Sequence, residues 1–159
     1  MALQFHQLVK ELSNVDLEDI CSSWKWRLDP PTSIILISSV GDMFFTDKDG
    51  AIFWLNTSLG EVINVAKDSE EFEQLLTDEI NVDNWFLATL VEQLILNDQT
   101  LKENEVYSFK ILPEFGGAYS ADNLEATDIS VHFTTTGQIH EKLNGLPDGT
   151  KSNNSIFGF

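Results

Sequence analysis

The residues able to do chemistry in this chain are few and widely spaced. Its histidines are His6, His132 and His140, and its one cysteine is Cys21. Zinc needs three or four nitrogen or sulfur ligands at short, recognisable spacings. His132 and His140 stand eight residues apart, with no cysteine beside them and no His-Glu-x-x-His sequence, so no metal site is expected. His132 reads as a hydrogen-bonded histidine of the core or of a sheet edge. Cys21 shares an apolar stripe with Leu17, Ile20 and Trp24, where a thiol is buried and inert rather than nucleophilic. The Gly-x-Ser-x-Gly elbow of a serine hydrolase is absent. Carboxylates are plentiful, but nothing marks two of them as an acid–base pair. The chain therefore nominates no catalytic residue, no metal ligand and no cofactor.

Two glycine-bearing turns could hold a ligand. The stretch PEFGGAYSADN, residues 113–123, carries no lysine or arginine, and Glu114 and Asp122 would repel a phosphate. A phosphate loop ends in Gly-Lys-Ser/Thr and opens a helix. The plainer reading is a tight structural corner, in which Gly116 and Gly117 take backbone angles closed to other residues and Asn123 bonds to nearby backbone. DKDG at 47–50 resembles the start of a calcium loop, but the twelfth position, which needs a bidentate glutamate, is Ser58. It reads as a hairpin turn.

Charge is the strongest compositional signal. The chain carries 26 acidic against 9 basic residues, a formal net charge of −17. That excludes nucleic acid and an anionic membrane surface as expected partners, and favours a basic protein. From Asp68 to Asp83 there are seven acids and no base. This is either a solvated helix face or a docking surface, and Asp68, Glu70, Glu71, Glu73, Asp78 and Glu79 are its candidate contacts. Asp47, Asp49 and Glu61 add to it from the strand turns, and Tyr119 and Asp122 from the glycine corner. A different class of function, a small-ligand or enzymatic pocket, would use the polar set Tyr119, Asn123, His132, Gln138 and His140.

These residues need a frame. A length of 159 residues suits a single domain with a real core. Helical spacing is expected over Phe5, Leu8, Val9 and Leu12, then over Leu17, Ile20, Cys21 and Trp24 with Asn14 as N-cap, within residues 1–30. DPPT at 29–32 breaks the run. The apolar run at 34–37 fits a strand or a buried helix turn. GDMFFTDKDGAIFWLNTSLGEVINVA then predicts a three-stranded meander. DSEEFEQLLTD predicts a helix capped by Asp68 or Ser69, and NVDNWFLATLVEQLILND one largely buried helix. Strands are expected at 106–112 and at 128–133, followed by a short helix or turn and a loop-like tail at 151–159, anchored by Ile156, Phe157 and Phe159. The fold class is α+β, an antiparallel sheet of meander plus C-terminal strands packed against several α-helices. One cysteine, no leader pattern and no apolar run long enough to span a bilayer predict a cytoplasmic protein.

Many of these features together resemble a known family. They are Gly41-Asp42, Asp49-Gly50, Leu55 with Thr57 and Gly60, Tyr107 and Phe109, Gly116-Gly117, Asn123-Leu124, Val131-His132-Phe133 and Gly137-Gln138. The pattern, over residues 33–150, resembles the C-terminal domain of type VI secretion immunity proteins. The resemblance implies an α+β domain that binds and neutralises a toxic effector, often a nuclease, in a bacterial cytoplasm. It implies no catalysis.

Overall fold

The computed structural model describes residues 3–29 and 33–146. Five strands form an antiparallel sheet in sequence order: β1 (Val9–Lys10), β2 (Ser33–Ser38), β3 (Met43–Thr46), β4 (Ile52–Asn56) and β5 (Glu61–Ala66). The expected meander is β3 to β5. The ambiguous apolar run is strand β2. A second, separate ribbon pairs β6 (Glu105–Phe109) with β7 (Leu124–Asp128), antiparallel, and the glycine corner joins them. The ribbon is tied to the main sheet by the Tyr107 amide, which donates to the Ser39 carbonyl at 2.7 Å.

Both faces of the main sheet are covered, which is why its middle strands read as unbroken apolar runs. Successive side chains alternate between faces. Phe44 and Ile52 enter a core with helices α2 (Ser69–Leu75), α3 (Glu79–Phe86) and α4 (Ala88–Leu96), through Phe72, Phe86, Leu90, Val91 and Leu94. Met43, Phe45 and Leu55 enter a second core with α1 (Leu17–Ser22) and α5 (Ile129–Asn144), through Ile20, Ile129 and Phe133; Trp24, just after α1, joins them. Burial of such side chains stabilises by roughly 1.5–3 kcal/mol each.

Several expected elements are different. Residues 5–12 are not one helix: a 3-10 turn at Phe5–Leu8 leads into edge strand β1 and a second 3-10 turn at Leu12–Asn14. The cap of α1 is Asp16, whose carboxylate accepts from the Asp19 amide, rather than Asn14. The single helix expected beyond Asn81 is two, because Leu87 adopts φ 52°, ψ 47°. The Asp83 carboxylate stabilises this break, accepting the Thr89 amide at 2.8 Å in the first turn of α4. The strand expected at 128–133 and the short helix or turn after it are one helix, α5, of 16 residues. Asp128 starts it by accepting from the Val131 amide, and its buried residues Ile129, His132, Phe133, Thr136, His140 and Leu143 recur at helical spacing. The 151–159 tail with Ile156, Phe157 and Phe159 lies outside the described residues.

Candidate partner-binding site

The acidic segment forms α2, α3 and their caps. Asp68 accepts from the Glu71 amide at 2.8 Å, and the Glu71 carboxylate accepts in turn from the Lys67 amide at 3.0 Å. Asp78 accepts from the Ile80 amide at 2.9 Å. Asp68 and Asp78 cap the starts of α2 and α3 by satisfying first-turn amides, and all three acids sit where they complement the helix dipole. Glu70, Glu73 and Glu79 are exposed. Beside them Ile80 stands 71% exposed, an apolar side chain within an acidic surface.

At the corner, Gly116 takes φ 85° after the 3-10 turn Pro113–Phe115. Gly117 lies so close to the chain that a Cβ there would stand 1.8 Å from the Ile111 carbonyl oxygen. Asn123 laces the two limbs together: its side chain accepts from the Ile111 amide at 3.0 Å and donates to the Ile111 and Ala118 carbonyls, each at 2.9 Å. Asp122 is exposed and accepts from the Ser120 hydroxyl at 2.7 Å. Tyr119 packs edge-on against Phe109, with ring centroids 5.4 Å apart, and its phenol interacts with Ser58. Burial pushes that phenol above its ordinary pKa, and the charges of Asp42 and Glu61 push it further.

Beneath the corner lies a buried polar network. Gly41 takes φ 79°, and a Cβ on it would meet His132 Nε2 at 2.2 Å. His132 Nε2 stands 2.9 Å from the Gly41 carbonyl, which can only accept, so this nitrogen carries the proton. Nδ1 then accepts from the Ser108 hydroxyl at 2.8 Å. Burial pulls His132 down to about 4, which keeps it neutral. Asp42 is 6% exposed. Its Oδ1 accepts from the Thr57 amide and hydroxyl, both at 2.9 Å, and its Oδ2 from the Trp54 indole at 3.1 Å. Burial pushes the Asp42 carboxyl up to about 6, against the opposing pull of those bonds. Two helical turns beyond His132, His140 donates from Nε2 to the Thr57 carbonyl at 2.9 Å.

Two clefts open on this region. One of about 580 Å³ runs between β6, the corner and α5, lined by Phe109, Ile111, Phe115, Val131 and Thr135, with His132 among its residues. A smaller one of about 50 Å³ is lined by Asp42, Trp54, Asn56, Ser58, Asn84 and Tyr119, closed by Val40, Leu87 and Phe109. The polar set Tyr119, Asn123, His132, Gln138 and His140 does not converge on either. Tyr119 borders the small cleft and His132 the large one, Gln138 is exposed on α5, and Asn123 and His140 are bonded elsewhere. Among the described residues no group of three or more His, Cys, Asp or Glu side chains is arranged to hold a metal ion, and no helix is long and apolar enough to cross a membrane. Asp42, Thr57 and Trp54 are not among the residues that the sequence marks for chemistry. Gly41-Asp42 and Thr57 stand out there only as parts of the family-like pattern.

Residues 66–140 match the family described as T6SS immunity protein Tdi1, C-terminal. The matched region spans the acidic helices, the corner and most of α5, including both buried histidines, and the family described is one of type VI secretion immunity proteins. Asp42, Trp54 and Thr57 lie before the matched region. Among solved structures, the crystal structure of Atu4351 from Agrobacterium tumefaciens overlays with a TM-score of 0.52 at 17% identity, over 78% of this chain. At that identity the likeness is one of fold. The chain spans 65% of the length of Atu4351. No curated protein matches the sequence.

Proposed function

We propose that this chain is a non-catalytic immunity protein that binds and neutralises a cognate type VI effector in the bacterial cytoplasm. The observation that carries the reading is the family match over residues 66–140. The partner is basic, and the docking surface includes Glu70, Glu73 and Glu79 on α2 and α3, with Asp68, Glu71 and Asp78 at the helix starts and Tyr119 and Asp122 on the corner. The chemistry supports this choice: a nuclease must present lysine and arginine to its phosphate substrate, and an acidic protein competes for that same surface. Exposed Ile80 supplies an apolar contact within the charged field. The corner residues Gly116, Gly117 and Asn123 act in this reading only by holding Tyr119 and Asp122 in place.

The test is co-expression with a toxin domain encoded beside the gene. Growth rescue by the chain, together with a stable complex of the two purified proteins, is the expected result. A chain that neither rescues growth nor binds would overturn the proposal. Association measured in low and high salt separates the electrostatic part, which requires a markedly slower on-rate in high salt.

A further inference from the structure

The small cleft beside the corner has a composition that the acidic helices do not explain. Its only charged wall residue is Asp42, a carboxylate 6% exposed. Every hydrogen bond the Asp42 carboxylate accepts comes from a neutral donor: the Thr57 amide, the Thr57 hydroxyl and the Trp54 indole. None of the cleft residues is basic. The charges felt by Tyr119 at its mouth, those of Asp42 and Glu61, are both negative. A buried carboxylate without a counter-ion is costly, and here Asp42 lines a cavity.

The walls favour a cation over other occupants. Trp54, Phe109 and Tyr119 are the aromatic lining residues of the cleft, and an aromatic ring attracts an ammonium or guanidinium group that reaches its face. Asn56, Ser58 and Asn84 add polar groups around the carboxylate. A phosphate or carboxylate would be repelled. A volume of about 50 Å³, at roughly 10–15 Å³ per water-sized group, admits about three to five such groups, enough for the end of a basic side chain. It excludes a nucleotide or a folded segment. One carboxylate among neutral groups is too few for calcium, which takes six to eight oxygens.

We propose that the Asp42 cleft is a receptor for the cationic end of a lysine or arginine side chain presented by the basic partner. The identity of that partner rests on the immunity reading; the cation site does not. Asn84 stands four residues along α3 from exposed Ile80, and residues four apart share a helix face. The cleft wall thus lies on the Ile80 face of α3: the exposed acids draw the partner in, and Asp42 receives one of its side chains.

The Trp54 indole N–H reports directly, because it donates to Asp42. In a 15N-labelled sample its resonance, assigned with Trp54→Phe, is followed during titration with N-acetylarginine amide and, separately, with the neutral isostere N-acetylcitrulline amide. The expected result is a saturable shift with the arginine compound, at least fivefold weaker or absent with citrulline, and lost in Asp42→Asn. No saturable shift, an equal response to citrulline, or a response that survives in Asp42→Asn overturns the cation site. Should Asp42→Asn fail to fold, Tyr119→Ala, at an exposed position, is expected to weaken the arginine response several-fold, and an unchanged response counts against the site. With the effector in hand, Asp42→Asn or Tyr119→Ala is expected to weaken the complex at least tenfold. If the probe binds but effector affinity is unchanged in both variants, the partner assignment falls and the immunity reading stands. If the wild-type chain binds no effector, the immunity reading falls and the cation site stands on the probe.

Discussion

Asp42 and His132 share one hydroxyl: Thr57 Oγ1 lies 2.9 Å from Asp42 Oδ1 and 3.0 Å from His132 Nε2. The two groups titrate in opposite senses across the same range. Asp42 is raised from 3.8 to about 6, so its protonated form suits the fold. Its stabilising effect is present below about pH 4 and is lost as pH rises through 6. His132 is lowered from 6.5 to about 4, so its neutral form suits the fold. Its contribution is present above pH 6.5 and is lost as pH falls toward 4. The two slopes offset each other between pH 4 and 6.5. Relative to wild type, His132→Gln is expected to gain stability between pH 7 and pH 5, and Asp42→Asn to lose it. Urea midpoints at the two pH values check this, and parallel behaviour of both variants would refute the coupling.

Different forces shape the two corner glycines, so their substitutions should differ in cost. Gly116 needs a positive φ but has open space around it. Gly116→Ala should cost about 1–2 kcal/mol, and Gly116→Val more, since a β-branched residue resists that region. Gly117→Ala drives a methyl into the Ile111 carbonyl and should cost more than Gly116→Ala, because backbone must move. Calorimetric melting temperatures rank the three. Equal melting of wild type and Gly117→Ala would remove the close-approach account.

Asn123→Ala removes three hydrogen bonds from the corner and leaves the Ile111 amide without its partner. A loss of about 1–3 kcal/mol is expected, with effector affinity reduced if Tyr119 then moves. Thermal melts and affinity measured on the same variant show whether both fall together.

Cap and charge can be separated on the acidic segment. Asp68→Asn and Asp78→Asn retain an oxygen able to cap a helix while each removes one negative charge. Stability should stay within about 0.5 kcal/mol, and association with the effector should slow at low salt. Glu70→Gln, Glu73→Gln and Glu79→Gln together should slow it further with no loss of stability. An unchanged on-rate in the triple variant would show that these acids serve solvation alone.

The meander was legible because its turn chemistry and its strand composition agree. DKDG and NTSLG punctuate runs of aromatic and β-branched residues, and β3, β4 and β5 fill those gaps. Helix α5 was not legible for the converse reason. Ile129, Val131 and Thr134 to Thr136 favour strand locally, yet the segment is helical because one face meets α1 and the turn at Thr57. Leu87 has none of the residue types that announce a left-handed backbone, so the break between α3 and α4 left no trace in the sequence. The acids of α2 and α3 were visible as a run, whereas Asp42 stood out only as part of the Gly41-Asp42 pair and not as a group with chemistry. A lone aspartate beside Met43 and Phe44 is read as strand until its bonds to Trp54 and Thr57 are seen.

Asn56, Asp42 and Gly41 hold the Thr57 turn from nearby in sequence, and further bonds reach it and Gly41 from far along the chain. His132 and His140 contact Gly41 and Thr57 across sequence separations of 91, 75 and 83 residues. Closing such long loops is slow and must precede the gain it brings. During synthesis, Asp42 and Thr57 leave the ribosome well before the helix that completes their surroundings. A chain stopped before α5 carries the sequence of the acidic helices but lacks His132 and His140. The fold thereby makes its finished state depend on the arrival of its last described helix, a check on completeness written into the order of assembly.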